Sequence, residues 1–502
     1  MAQLRSHDLP RQSTLRFSPP NTAAMTGIPD LATEILDLIF SFLTSKSDIL
    51  NTALVCKQFR DSAEPLFYHD YVHDGSDKEK AGSLTPFIRQ IIKHPDLAAR
   101  VKHVTLHSWT YGIAEDQQVI SDEDLSAFVG AAREANILDP TKEVHQLITD
   151  AGITNLIDPD DVDWEDSPEP PEAHGDTISG HDDAEWIQQM QLGIEEPRII
   201  LLLAILPGIK SLSFTRLPRQ GNLSWSQLRR VPHGFRNLQD IHCTAENFGY
   251  GATLSCIGHL LGAPSLKRLF ISDGGRTRRD VLSQEPTPLD LTHLPIKVAT
   301  FEHTTADFRV LSQFILKCTK LEYLAFTVTN PFFRVQQIDT PQLKNIIDTQ
   351  SNSLKDLRLS LDLSRGELEL EHTRLGSLTH FKNLVFLEAE QFLLLGRPRQ
   401  VPQYKLKDIL PSSLKGLSIG GADDNITPHL LELASVCSTD FASLELLCVS
   451  FASNPTRAKP NLSVPLGFEA SSVKVILETN RRWPRDRHPG LEDWLSKTMP
   501  EL

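Results

Sequence analysis

Ile28-Pro29-Asp30-Leu31-Ala32-Thr33-Glu34-Ile35-Leu36-Asp37-Leu38-Ile39-Phe40-Ser41-Phe42-Leu43, followed by Ala53-Leu54-Val55-Cys56-Lys57-Gln58-Phe59-Arg60, is the stretch that decides how this chain begins. Ile35, Leu38, Ile39, Phe42 and Leu43 recur at helical spacing, so they share one face of a helix that Pro29 and Asp30 can start. A second helix opens at Ser47 or Asp48 with Ile49, Leu50, Ala53 and Leu54 as its apolar stripe, and a third carries Phe59, Ala63 and Leu66. Residues 27–71 therefore read as a three-helix module. A domain of fewer than about 60 residues is marginal without a staple or a partner. The apolar face of this one is expected to be completed by another protein.

Further along, a second pattern runs through more than half of the chain. Its unit is apolar-x-x-apolar-x-apolar, found at Ile209/Leu212/Phe214, Leu238/Ile241/Cys243, Leu266/Leu269/Ile271, Val298/Phe301/His303 and Leu321/Leu324/Phe326. It continues at Leu354/Leu357/Leu359, Leu384/Leu387/Ala389, Leu414/Leu417/Ile419, Leu444/Leu447/Val449 and, more weakly, Val473/Ile476/Glu478. Two anchors separated by one residue lie on the same side of a strand, and the residue between them on the other. Thr253 to Leu261, Phe308 to Lys317, Leu343 to Asp348 and Pro428 to Ser435 carry apolar residues three or four apart, as helices do. Before the array, a helix over Leu84 to Ala99 leads into a similar Val101/Val104/Leu106 strand.

The order Ile-Pro…Glu-Ile-Leu…Ile-Phe…Leu, then Leu-Val-Cys-Lys…Phe, resembles the F-box, the adaptor-binding module of substrate receptors in cullin-RING ubiquitin ligases; Ile28 stands where that family more often has Leu. The resemblance implies that Ile28, Pro29, Glu34, Ile35, Leu38, Ile39, Phe42, Leu43, Leu54, Val55, Cys56 and Phe59 contact a Skp-family adaptor and, through it, a cullin. The array, one strand and one helix per period of about 30 residues, resembles degenerate leucine-rich repeats, and the Leu84–Ala99 helix, the His94-Pro95 connection and the Val101/Val104/Leu106 strand resemble the opening of F-box and leucine-rich-repeat proteins common in filamentous fungi. The array's Asn or Cys position is missing throughout. The fold class this implies is α/β: an N-terminal F-box, then a leucine-rich-repeat solenoid with a parallel sheet on its concave face and helices on its convex face.

The expected organisation is a disordered tail over 1–26, the F-box over 27–71, and a linker helix with a first repeat over 72–106. An acidic, largely disordered insertion follows over 107–197, then the degenerate repeats over 198–480 and a cap or tail over 481–502. The formal charge of −15 is local: Asp158 to Glu196 holds 14 Asp and Glu and no Lys or Arg, so the remainder is close to neutral. Such a run repels itself and has too little apolar surface to repay the entropy of ordering. Leu125 to Ile137 and Val144 to Ile157 within the insertion read as isolated helices, and Trp483 and Trp494 as a cap over the apolar edge of the last repeat.

Catalytic chemistry finds little support. The chain has no GxSxG, HExxH, P-loop or GxGxxG motif. The cluster His174, Asp176, His181, Asp182 and Asp183 offers metal-ligand types without a frame to hold a geometry, so no metal or cofactor is expected. The cysteines at 56, 243, 256, 318, 437 and 448 form no CxxC, which points to reduced thiols and a cytoplasmic or nuclear location. The longest apolar run, Ile199 to Leu206, is far short of the roughly 20 residues that span a bilayer. No membrane partner is expected, and nucleic acid is disfavoured by the charge balance.

The reading that follows is a non-catalytic receptor subunit holding a protein target of unknown identity. The alternative is an adaptor-bound scaffold that promotes no ubiquitylation. Candidate target contacts are the strand residues facing away from the anchors: Asp240, His242, Arg268, Phe270, Tyr323, Asp356, Arg358, Phe386 and Glu388. Arg and aromatic side chains are typical of interface hot spots. Arg276, Arg278 and Arg279, with Arg397 and Arg399 at the same relative place after another strand, are candidates for bidentate capture of a phosphate or carboxylate.

Overall fold

A computed structural model of the chain describes residues 31–43, 45–75, 83–107, 120–153, 183–215, 225–244, 257–272, 293–302, 308–329, 340–362, 374–396, 404–423, 425–451, 467–469, 471–479 and 489–499. Two compact units are present, Met1–Tyr68 and His69–Leu502. The expected tail 1–26 lies outside the described residues.

The first unit holds α1 (Thr33–Phe40), α2 (Lys46–Ala53) and α3 (Lys57–Phe67). Leu36 and Phe40, one helical turn apart, point inward and meet Ile49 and Ala63, with Leu31, Leu43, Ala53, Phe59 and Leu66 packed around them. Phe40 and Phe59 meet edge to face at 5.1 Å. Ser45 caps α2 by accepting the Asp48 backbone N–H at 3.4 Å, and Gln58 Nε2 donates to the Leu31 carbonyl at 3.0 Å, tying the start of the module to α3. Three helices were expected and three are found, but the core stripe of α1 is Leu36/Phe40 rather than the Ile35/Leu38/Ile39/Phe42 series.

Among the described residues, the second unit is organised by one sheet of twelve parallel strands, each beside its neighbour in sequence. These are β1 (Asp70–His73), β2 (His103–Leu106), β3 (Ser211–Phe214), β4 (Asp240–Cys243), β5 (Arg268–Ser272) and β6 (Val298–Glu302). Then come β7 (Tyr323–Thr329), β8 (Asp356–Asp362), β9 (Phe386–Glu390), β10 (Gly416–Ala422), β11 (Leu446–Phe451) and β12 (Lys474–Thr479). The anchor residues stack in register, as in Leu212↔Ile241, Ile241↔Leu269 and Leu357↔Leu387, and are buried on the side of the connecting helices. Phe301 on β6, for example, meets Phe314 of the Phe308–Lys317 helix edge to face at 5.4 Å.

Several expected boundaries and registers are corrected. The sheet begins one strand earlier than the pattern suggested, since β1 spans the expected 71/72 boundary; its inward positions are Tyr71 and His73, and a histidine hides the apolar signature. On β6 the inward residues are Ala299 and Phe301 below Ile296, not Phe301 and His303 below Val298, which evens out the spacing. On β12 the register pairs Leu447 with Val475 and Val449 with Leu477, so Ile476 lies on the opposite face beside Cys448.

The expectation of a largely disordered insertion over 107–197 does not hold for its described parts. Helices Asp122–Glu134, Val144–Asp150, Asp183–Gln191 and Glu195–Ile205 pack on one another and on the Leu84–Lys93 helix. The reason is the Glu195–Ile205 helix, which is buried all round and needs cover; it also crosses the expected 197/198 boundary. Leu125, Phe128, Val129, Ala132, Trp186, Ile187 and Met190 are buried within this helical group. Polar ties fix it: Arg89 grips Asp124 with two hydrogen bonds of 2.6 and 2.5 Å, buried His73 faces Glu195 at 3.3 Å, and Arg198 donates to Thr85 Oγ1 at 2.9 Å. The acidic run 158–182 is outside the described residues, as is most of the His174–Asp183 cluster; Asp183 itself accepts the Asp139 backbone N–H at 3.1 Å.

The segment expected as an edge cap lies elsewhere. The Pro489–Thr498 helix sits against the face of the sheet opposite the anchors, where Leu491 and Leu495 join Phe386, Leu446, Cys448 and Ile476 from β9, β11 and β12. Trp494 approaches the Phe386 ring at 5.8 Å and donates from Nε1 to Glu445 at 3.2 Å. Trp483 lies outside the described residues. No described helix is long and apolar enough to cross a membrane.

Candidate functional site

Helix α1 is apolar on two sides, and only one of them is used internally. Ile35, Leu38, Ile39 and Phe42 stand on the outer side with 46%, 58%, 44% and 76% of their surface exposed, and Leu50, Leu54 and Val55 add further exposed aliphatic surface from the second helix and the turn after it. Large apolar side chains gathered in the open mark a protein interaction site when polar residues rim them. Here Glu34, Asp37, Asp48, Lys57 and Arg60 are exposed in the same short module. Ser41 Oγ donates back to the Leu38 carbonyl at 2.7 Å, closing α1 so that Phe42 leaves it in the open.

Of the residues expected to bind the adaptor, Glu34, Ile35, Leu38, Ile39, Phe42, Leu54 and Val55 are exposed and Cys56 is half-buried at the start of α3. Leu43 and Phe59 are half-buried and also pack against the module's own core. Ile28 and Pro29 lie outside the described residues. Leu50 was not among the expected contacts although it shares the exposed surface; its spacing with Ile49 and Ala53 suggested a core position.

Residues 28–73 match the F-box-like family model. The chain thus carries an F-box-like domain, and the match supports a role as an F-box adaptor-binding protein, since F-box domains typically bind Skp-family adaptors. The match runs past α3 to the end of β1, whereas the division into compact units falls at Tyr68. No curated protein matches the chain.

The second candidate surface is the sheet face opposite the anchors. Arg268 on β5 grips Asp240 on β4 through Nε and Nη2, the latter at 2.9 Å, and the neighbouring rings of His242 and Phe270 lie 5.8 Å apart. Partial desolvation on the sheet face lowers the His242 imidazole pKa from its usual value, opposed by the Asp240 carboxylate and aided by the Arg268 charge. Arg358 lies between Tyr323 and Phe386, 4.9 and 5.2 Å from their ring centres, and pairs with Asp356 at 2.8 Å. Burial opposes the charge of Arg358, but the Asp356 carboxylate more than offsets it and the pKa is raised.

This geometry divides the expected target contacts. Arg268 and His242 are exposed, and Phe270, Tyr323 and Arg358 are half-buried. Asp240, Asp356, Phe386 and Glu388 are buried, Phe386 under the Pro489–Thr498 helix, so they are corrected from contact residues to supports. Arg276, Arg278, Arg279, Arg397 and Arg399 lie outside the described residues. Cys243 is buried at its anchor position, and burial pushes the thiols of Cys318 and Cys448 up to about 12, leaving them protonated and unreactive. His69, Asp70 and His103 bring ligand-type atoms within 4.8 Å of one another.

Proposed function

We propose that this chain is the target-recognition subunit of an SCF-type ubiquitin ligase. The F-box-like module docks its exposed aliphatic face on a Skp-family adaptor and through it joins a cullin. The sheet unit, a degenerate leucine-rich-repeat solenoid of the kind found in fungal F-box proteins, holds a protein target in the cytoplasm or nucleus. No residue of the chain breaks or makes a bond. Its contribution is proximity: holding the target beside a separate catalytic subunit raises the effective concentration of the target's lysines.

The observation that carries this reading is the outer stripe of α1, Ile35/Leu38/Ile39/Phe42, exposed within residues that match the F-box-like model. Co-expression with a Skp-family adaptor tests it. The parent chain captures the adaptor, and Leu38→Asp with Phe42→Asp abolishes capture while circular dichroism of the sheet unit is unchanged. Adaptor capture that survives both substitutions overturns the reading.

A further inference from the structure

The face patterns above leave one row of the sheet unused. One residue ahead of each strand, the backbone ladder continues: Lys210 N–H donates to the Lys102 carbonyl at 2.7 Å, Gln239 to Lys210 at 2.7 Å, Lys267 to Gln239 at 2.8 Å and Lys297 to Lys267 at 2.9 Å. It goes on through Glu322, Lys355, Val385 and Lys415 to Glu445. The sheet's amino-terminal edge therefore carries Lys102, Lys210, Lys267, Lys297, Lys355 and Lys415 in a single line. Lys210, Lys267, Lys297 and Lys355 are exposed.

The row is not neutralised evenly. Glu322 lies between Lys297 and Lys355, at 2.8 and 2.7 Å, and is held below the usual carboxylate range by both. Lys102 and Lys210 stand on adjacent strands with like charge, and burial, then the Lys210 charge, lowers the Lys102 pKa. Like charges side by side on a sheet are destabilising. An arrangement that costs stability, in a chain whose formal charge is −15, is what a docking surface looks like before its partner arrives.

We propose that this edge is a ledge for an extended acidic peptide segment of the target; the inference deepens the receptor reading and rests on it. Adjacent strands are about 4.8 Å apart, and same-face side chains of an extended peptide about 6.7 Å apart, a mismatch that flexible lysine stems absorb. Lysine ammoniums are point charges without the planar fork of arginine, so they suit carboxylates at varied angles. Gln239, Glu322, Val385 and Glu445 interrupt the row, and Glu445 pairs with Lys415 at 3.7 Å. A peptide can set neutral residues opposite them, whereas a nucleic-acid backbone brings a phosphate at every step.

Fluorescence anisotropy with the full chain tests this, using a labelled peptide of alternating Glu and Ser, its Gln/Ser analogue and a single-stranded DNA oligonucleotide. The Glu peptide binds, and binding weakens as salt shortens the Debye length from about 10 Å to about 3 Å. Lys210→Glu with Lys267→Glu weakens it at least about tenfold, while Lys93→Glu with Lys382→Glu, off the row, leaves it unchanged. Equal binding of the Gln analogue, equal loss in the off-row variant, or tighter binding of the oligonucleotide overturns the proposal. Adaptor capture is scored in parallel: its absence in the parent chain counts against the F-box reading alone, because the peptide titration does not depend on the adaptor.

Discussion

Gly416→Ala measures how firmly the Pro489–Thr498 helix is seated on the sheet. A methyl built at Gly416 falls 2.6 Å from Trp494 Cη2, 2.8 Å from Trp494 Cζ3 and 2.7 Å from Phe386 Cδ2, each far inside van der Waals contact. Overpacking of this kind costs about 1–3 kcal/mol. The lower entropy of Ala in the unfolded chain returns about 0.5–1 kcal/mol, leaving a net loss of up to about 2.5 kcal/mol. In a Trp494→Ala background two of the three nearest opposing atoms are gone, so the cost of Gly416→Ala drops by about 1 kcal/mol, a coupling above the additivity error of distant sites. Urea titrations followed by far-UV circular dichroism give the four midpoints, compared at constant m. An equal cost of Gly416→Ala in both backgrounds refutes the reasoning: the helix would then not rest on this face.

Other substitutions separate the roles of neighbouring side chains. Phe40→Ala empties the core of the first unit and costs about 3–5 kcal/mol, whereas exposed Phe42→Ala leaves urea stability within about 0.5 kcal/mol and lowers only adaptor capture. Buried Gln350 donates to the carbonyls of Cys318 at 2.9 Å and Ile315 at 3.2 Å and accepts the Leu321 N–H at 3.2 Å; Gln350→Leu strands these groups and lowers stability by about 2–3 kcal/mol in the same titration. Burial, then the charge of Arg229, holds the His259 imidazole down at about 3, against 6.5 unperturbed. The unfolded chain takes up this proton first, so stability is full above about pH 6.5 and is lost as pH falls towards 3. Urea midpoints at pH 7.5, 6 and 5 fall for the parent chain, and less steeply for His259→Leu.

The strands were legible because a parallel strand covered by helices needs apolar anchors two residues apart, and from β3 to β5 and β7 to β11 the chain supplies them at each turn. Where one anchor is small or polar the reading slips, by two positions at Ala299 and altogether at His73. Ile476 was assigned to the wrong face because it is apolar for another reason: Leu491 and Leu495, contributed from outside the repeat pattern, cover it. The same ambiguity governs α1. Leu36/Phe40 and Ile35/Leu38/Ile39/Phe42 are equally apolar, and periodicity alone does not say which stripe meets the module and which meets a partner. In the insertion, the apolar spacing of Leu125, Phe128, Val129 and Ala132 reads as a helix, but the average acidity hid that it has a cover, the Glu195–Ile205 helix.

The Pro489–Thr498 helix also imposes a schedule on synthesis. Phe386, Leu446, Cys448 and Ile476 leave the ribosome before the helix that covers them, and Leu495 follows Phe386 by roughly a hundred residues. At about 5–20 residues per second Phe386 stays bare for about 5–20 s of translation and Ile476 for only about 1–3 s, although the strands bearing them already have neighbours to pair with. During that interval the nascent chain is a substrate for chaperones on a face that the finished protein keeps closed.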